Sequence, residues 1–395
     1  MSYPPPLSRD SRAVALLLAA TLTTMANAAI SPALPGLAAR FADHPQAALL
    51  TRMLLPAPSL AVVLIAGWSG ALADRIGKRL LLLGGVALFA LAGTLGMALN
   101  SLEALLASRL ALGVAVALIM TSQTALIADY FEGAARSRLL GLQISARNIG
   151  GLVSIGLAGF LALISPMHAF AIHAVALLML PFLWRALPEP ARAPSATAQT
   201  ALPSGRLGSA LWAMAALQML TTICFFTMPT QLPFFVVHHG TENTAVMGGV
   251  MAALTLAGAL AATRYGALKP RLGHARLFAL GYALMGGGMT ALAAANGLGL
   301  ILTGAILVGL GFATVSPNFN EIALRAAPSH LRGRAAGVMT TAIFLGQILS
   351  PLISLPLLRA VGFEGLFATL GGLLLAGAVL ALLRARPQIL SETPD

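Results

Sequence analysis

The sequence predicts an all-α membrane protein of twelve transmembrane helices in two pseudo-symmetric six-helix bundles, and three observations carry that prediction. The 395 residues are 58% hydrophobic and 9% charged, with a mean hydropathy of +0.87. That leaves too little polar surface for a water-soluble globule of this length. The apolar residues fall into runs near the ~20 residues a helix needs to cross a bilayer core. Landmarks of the first half also return 196 residues later: Gly70 and Gly77 as Gly266 and Gly273, Gly113 as Gly309, and Arg136, Arg138, Gly141, Gly150 and Ser154 as Arg332, Arg334, Gly337, Gly346 and Ser350.

In chain order the candidate spans are 14–37, 47–73, 80–99, 102–128, 139–163, 169–184, 210–237, 245–262, 277–295, 298–324, 335–358 and 366–383. Abundant Gly and Ala suit helices whose backbones approach closely in lipid. Residues 187–207, with Pro188, Pro190, Pro194 and Pro203 among Ala, Ser and Thr, read as a flexible connector. They divide the chain into an N-terminal six-helix bundle (1–186) and a C-terminal one (208–395). Parallel halves with a binding site near the midplane between them are a transporter design in which the halves rock about that site.

The net charge of +12 is not the footprint of a nucleic-acid binder. With the spans alternating from an inside N-terminus, nineteen of the 24 Lys and Arg fall on one side; Arg40, Arg52 and Arg359 fall outside, and Arg109 and Arg147 within spans. That is the positive-inside pattern, and it puts both termini in the cytoplasm. The first 12 residues lack the layout of a cleaved signal peptide, so the first span is expected to stay in the protein. A single cysteine, Cys224, permits no intramolecular disulfide and no cysteine zinc cluster. The string around Gly77-Lys78-Arg79 lacks phosphate-loop spacing, Gly309-Leu-Gly311 lacks the strand and helix of a dinucleotide site, and His-Glu-x-x-His is missing. Neither an enzyme nor a bound cofactor or metal is expected.

The stretch from Gly70 through Asp74, Arg75, Gly77, Lys78 and Arg79, between spans two and three, resembles the signature loop of the major facilitator superfamily. Arg109 with Gly113 on span four resembles that family's second motif. The resemblance covers nearly the whole chain and is closest to the bacterial drug:proton antiporter group. It implies a multi-pass protein of the bacterial inner membrane, working as a monomer in lipid on a small-molecule substrate and protons. It also implies that the loop latches the halves shut on the inner side, with Asp74 beside the start of span eleven near 334–337. Gly70 and Gly77 would allow tight turning and close backbone approach, and Asp129, ending span four, is the expected partner of Arg75 or Arg79. The second copy of the loop carries Pro270 for the acid and His274 for Lys78, so its latch should be weaker.

Ionisable groups inside spans are functional candidates by default. Arg109 shares a helical face with Gly113, Met120 and Gln123; the resemblance implies proton coupling for it, and a hydrogen-bonding structural role is the alternative. Arg147 shares a stripe with Gln143, Gly150, Gly151 and Ser154; it could meet an anionic group, or pack and snorkel. Glu321 is the one carboxylate placed well within a span. It is a candidate proton carrier, or the partner of Arg325 four residues on, the favourable order for a helical ion pair.

The family's cavity-lining spans, one, four, seven and ten, carry Asn27, Met120, Gln123, Gln218, Thr222, Phe226, Asn318 and Phe319. This apolar surface with sparse polar groups suits amphipathic molecules better than sugars. Span five keeps Gly151, Gly156 and Gly159 but lacks the proline of the exporters' Gly-Pro motif, and span one has no acid. Pro32 and Pro35, and Pro229 and Pro233, should open backbone groups near the outer ends of spans one and seven. The expected function is proton-coupled export of small amphipathic compounds by alternating access. The alternative is uptake or facilitated exchange of an organic anion, for which Arg109 and Arg147 argue; a membrane sensor without flux is a third class.

Overall fold

The computed structural model describes residues 7–190 and 207–384, and those residues form an all-helical bundle. Its α-helices run α1 (Ser11–Ala28), α2 (Leu34–Arg40), α3 (Ala47–Met53), α4 (Ala57–Ile76), α5 (Lys78–Leu95), α6 (Leu102–Tyr130), α7 (Gly133–Leu161), α8 (Val175–Ala186), α9 (Ser209–His238), α10 (Thr244–Ala293), α11 (Leu298–Ala326) and α12 (Arg332–Leu383). Polar caps start several of them: Asp10 accepts from the Arg12 amide ahead of α1, Ser101 from Ala104 ahead of α6, and Asn243 from Ala245 ahead of α10. The Arg12 guanidinium also holds the Asp10 carboxyl below the usual carboxylate range.

Among the described residues nine helices are long and apolar enough to cross a membrane, and the bent pair of α3 and α4 makes ten. Two of the nine are far too long for one crossing. At 1.5 Å per residue the 50 residues of α10 and the 52 of α12 would each reach beyond ~70 Å, against a hydrocarbon core of ~30 Å. Each breaks at a glycine in the left-handed region, Gly273 (φ 68°) and Gly362 (φ 73°).

The packing of α10 shows that it reverses at Gly273. Its first arm meets α11 in ascending register, Gly258 against Gly309 and Tyr265 against Asn318. Its second arm meets α11 in descending register, Gly281 against Val315 and Gly288 against Gly304. With each arm counted as a helix, the described residues fit the expected twelve crossings.

Span one is interrupted where Pro32 enters a 3-10 turn (Ser31–Ala33), span two at Pro56 between α3 and α4, and span six begins as a 3-10 segment (Pro166–Ala174) before α8. Proline removes the donor a continuous helix needs, which accounts for the first two.

The sequence repeat is a structural repeat. A Cβ on Gly113 would run into the Pro58 carbonyl, and one on Gly309 into the Leu254 carbonyl. Likewise Gly85 abuts Ala115 and Ile119, while Gly281 abuts Gly311 and Val315. Each of these contacts recurs at the same 196-residue offset, so span two lies on span four as span eight lies on span ten. Two apolar cores result: one built from residues of 13–187 joined by Phe226, the other from 211–378 joined by Ile155. The connector lies mostly outside the described residues.

Candidate functional site

The first hairpin is built by one residue. Gly77 has φ 98° and ψ 140°, a conformation that favours glycine, and it lets α5 begin directly after α4 ends. Lys78 thereby reaches the end of α6, its Nζ 2.9 and 2.7 Å from the two carboxylate oxygens of Asp129. Lys78 thus stands where Arg79 was expected as a partner of Asp129. One position further round the helix, Arg79 donates to the Trp184 carbonyl at 2.7 Å and lies 4.5 Å over the indole. Arg75 is exposed, and the side chain of Asp74 lies outside the described residues. Gly70 sits inside α4 with open space where a Cβ would point, so it makes no close approach here. Sequence reasoning missed Glu189 and Pro188. The Glu189 carboxylate covers Gly77, and Tyr130 donates to the Pro188 carbonyl, which seats the start of the connector on this hairpin.

At the second hairpin, beside Gly273, His274 Nδ1 donates to Asn318 Oδ1 at 2.7 Å and Asn318 returns a bond to the His274 carbonyl at 3.1 Å. Tyr265 adds a bond to the same oxygen at 3.0 Å. Glu321, one helical turn on, pairs with Arg325 at 2.7 Å and with Lys269 from the facing arm of α10. The Arg325 pair was legible as an i,i+4 spacing; Lys269, 52 residues away in sequence, was not.

Arg109 is fully buried. It donates to the carbonyls of Ala26 and of Leu54 (3.3 Å), and its Nη1 lies 3.3 Å from His173 Nε2. His173 donates through Nδ1 to the Phe170 carbonyl at 2.9 Å, which leaves Nε2 as the acceptor. Ala26 precedes the interruption of span one and Leu54 begins that of span two, so Arg109 ties together the carbonyl-rich ends of two broken helices.

The bundles meet away from the hairpins. Asn27 Nδ2 donates to Ser59 Oγ and to Gln347 Oε1, both at 3.1 Å. Ser31 Oγ donates to the Pro229 carbonyl at 2.7 Å. Arg52 Nε donates to Gln231 Oε1 at 2.8 Å, and Gln231 donates on to Ser354 at 2.9 Å. Thr244 donates to the Gly159 carbonyl at 2.8 Å, where α7 and α10 cross with Gly159 close against Gly248. Arg52, counted from sequence among the outside charges, is buried in this seam, on the short α3 that meets α4 at a bend of 52°. Toward the hairpins, α9 and the first arm of α12, both of the second bundle, line an open, mainly apolar groove of about 590 Å³ with Trp212, Ala215, Met219, Arg334, Val338 and Leu345 on its walls.

The cavity-lining residues expected from sequence separate into groups. Asn27, Met120 and Arg147 are half-buried, Asn27 within the seam. Phe226 packs at the junction with the first core. Gln123 donates to the Leu16 carbonyl, Gln218 to Thr222 (3.1 Å), and Thr222 lies against Gly346. Asn318 belongs to the second hairpin, and Phe319 packs against Phe278 with ring centroids 4.9 Å apart and planes tilted by 57°. These last five are turned into helix packing rather than onto an open wall, since a buried polar group takes the nearest partner and a ring the nearest ring. Gln123 Oε1, Gln143 Nε2, Arg147 Nε and Asn27 Oδ1 are buried without a protein partner.

Comparison with known proteins agrees with this architecture. A sequence model described as Major Facilitator Superfamily matches residues 16–351, and again 265–394. The quinolone resistance protein NorA of Staphylococcus aureus is 28% identical over 118 residues, 30% of each chain. The methylenomycin A resistance protein of Bacillus subtilis is 40% identical over 85 residues, 21% of this chain and 18% of that one. The matched stretch thus spans less than a third of either relative. Among solved structures, a D-xylose-proton symporter superposes with a TM-score of 0.79 at 19% identity, covering 94% of this chain and 96% of that one. The human organic anion transporter MFSD10 gives 0.65 at 20% identity, covering 96% and 100%.

Proposed function

The chain belongs to the Major Facilitator Superfamily, and from that premise we propose that it exports small amphipathic compounds across a bacterial plasma membrane in exchange for protons. The observation that carries the reading is the asymmetry of the bundle: hydrogen bonds between the halves gather at the end away from the hairpins, while toward the hairpins the second bundle presents an open, mainly apolar groove between α9 and α12. With the Lys- and Arg-rich hairpins in the cytosol, this is a state sealed outside and receptive inside. The apolar lining favours substrates with few polar groups. Two relatives named for resistance to a compound support the outward direction.

In this reading 1–186 and 208–395 rock as bodies about the connector, the chain acts as a monomer, and both termini are cytosolic. Asp74 and the 334–337 segment meet when the inner side closes. Glu321 is the proton carrier: taking up a proton would release Lys269 and Arg325 from it, which loosens the inner end of α11 against α10. Arg109 acts by holding the two broken helices in place.

A second reading, exchange of an organic anion, draws support from the seam residue Arg52 and from Arg147, since neither meets a carboxylate among the described residues. Purified protein in vesicles with a lumenal pH-sensitive dye separates the two. Substrate-triggered alkalinisation of an acid-loaded lumen is the result expected for antiport. Flux of a labelled organic anion with no gradient and no dye response would overturn it in favour of exchange.

A further inference from the structure

Arg52 is 6% exposed in the seam, yet no carboxylate among the described residues meets it. Its guanidinium is held by neutral groups only. Nε donates to Gln231, Nη1 donates to the Ala48 carbonyl at 2.9 Å, and the ring of Phe234 covers one face at 3.8 Å. Nη2 has no hydrogen-bond partner among the described residues and is not among their fully buried unpartnered atoms.

Arg52 reaches the first arm of α12 through Gln231 and Ser354, and Arg359, five residues beyond Ser354 on that arm, brings a charge of the same sign from the opposite bundle. Of the four acids at this end, Glu103 is engaged with His44 at 2.8 Å and Glu364 with His238 at 3.6 Å, while Asp43 and Glu242 are exposed. A nearly dry arginine normally carries a paired anion, because burying an unpaired charge is costly. Here the chain supplies a second cation instead.

We propose that the seam holds a site for a small carboxylate anion, gripped by Arg52 of the first bundle and Arg359 of the second. With Phe234 over one face and two edges already bonded, the open approach lies in the guanidinium plane at Nη2. There a carboxylate oxygen takes a charge-assisted bond and cancels the repulsion between the two arginines. Phe234 adds an apolar wall, so an aromatic carboxylate binds tighter than acetate. Gln231 joins Arg52 to Ser354, so the bound anion ties α3 to α9 and α12 and favours the sealed seam. The site stands apart from the hairpin-side groove and does not depend on the direction of transport.

The test uses the whole protein in lipid nanodiscs. Sodium benzoate is titrated against sodium methanesulfonate at constant ionic strength while the thermal unfolding midpoint is followed, since a ligand bound only by the folded state raises it in a saturable way. The expected result is a saturating rise in the wild type, with half-saturation weakened about tenfold or more in Arg359→Gln, the scale of one charged hydrogen bond, and a higher half-saturation for acetate. Arg359 is exposed, so its replacement leaves the fold intact even if Arg52→Gln does not accumulate. A midpoint that does not saturate with benzoate, or the same half-saturation in wild type and Arg359→Gln, would overturn the proposal.

Discussion

Ser31 donates to the carbonyl of Pro229, 198 residues away, at 2.7 Å. That carbonyl is available because Pro233, four residues further along α9, has no N–H to bond it. A helix defect in the second bundle thus becomes the acceptor that seals it to the first. Ser31 stands in the interruption of span one, so the contact joins two broken helices. Replacing Ser31 with Ala leaves a buried carbonyl unsatisfied, a loss of about 1–3 kcal/mol. In a Cys224→Ser background, a reporter cysteine at Ala28 should then react with a membrane-impermeant thiol reagent about tenfold faster. An unchanged rate would remove this bond from the seal.

The glycines separate cleanly by what surrounds them. Gly309→Ala drives a methyl into the Leu254 carbonyl, whereas Gly70→Ala points one into open space inside α4. The first should destabilise by about 1–3 kcal/mol. The second should be neutral or stabilise by up to about 1 kcal/mol, through the lower chain entropy of alanine. Thermal unfolding in detergent reads both, and equal midpoints would contradict the packing of α11 on α10.

Lys78 and Asp129 remain 30% and 26% exposed as side chains, so water screens their pair. A double-mutant cycle on Lys78→Ala and Asp129→Ala should return a coupling below about 1 kcal/mol. Asp74→Asn, by contrast, should raise the labelling of cysteines on the hairpin side if Asp74 closes that side. Labelling that does not change would count against the latch.

Arg109 bonds two carbonyls and faces a histidine at once. A lysine cannot span that fork. Arg109→Lys should therefore lower the unfolding midpoint and abolish transport together, whereas transport lost at an unchanged midpoint would point to a role in chemistry rather than in architecture.

Glu321→Gln tests the proton carrier. Substrate binding should survive and substrate-linked proton movement should vanish, read by tryptophan quenching and by the lumenal dye. Retained proton movement would leave Glu321 as the hub that joins Lys269 and Arg325 at the end of α11.

Hydropathy and the 196-residue repeat determined the all-helical membrane fold and its internal repeat, because lipid obliges a long apolar run to become a helix and duplicated sequence packs alike. The Gly77 hairpin and the Glu321–Arg325 pair are local, so spacing revealed them. Partners far apart along the chain were a different matter. Nothing in the order of residues said that Lys78 rather than Arg79 would face Asp129, that Lys269 would join Glu321, or that Arg52 would turn into the seam. It was equally silent on His173 completing the shell of Arg109, and on Gln123 and Asn318 turning to neighbouring helices. Those outcomes depend on how helices bend at Pro32 and Pro56 and on which surface each then presents. A buried polar group bonds whatever the packing brings within reach, and only the folded bundle decides what that is.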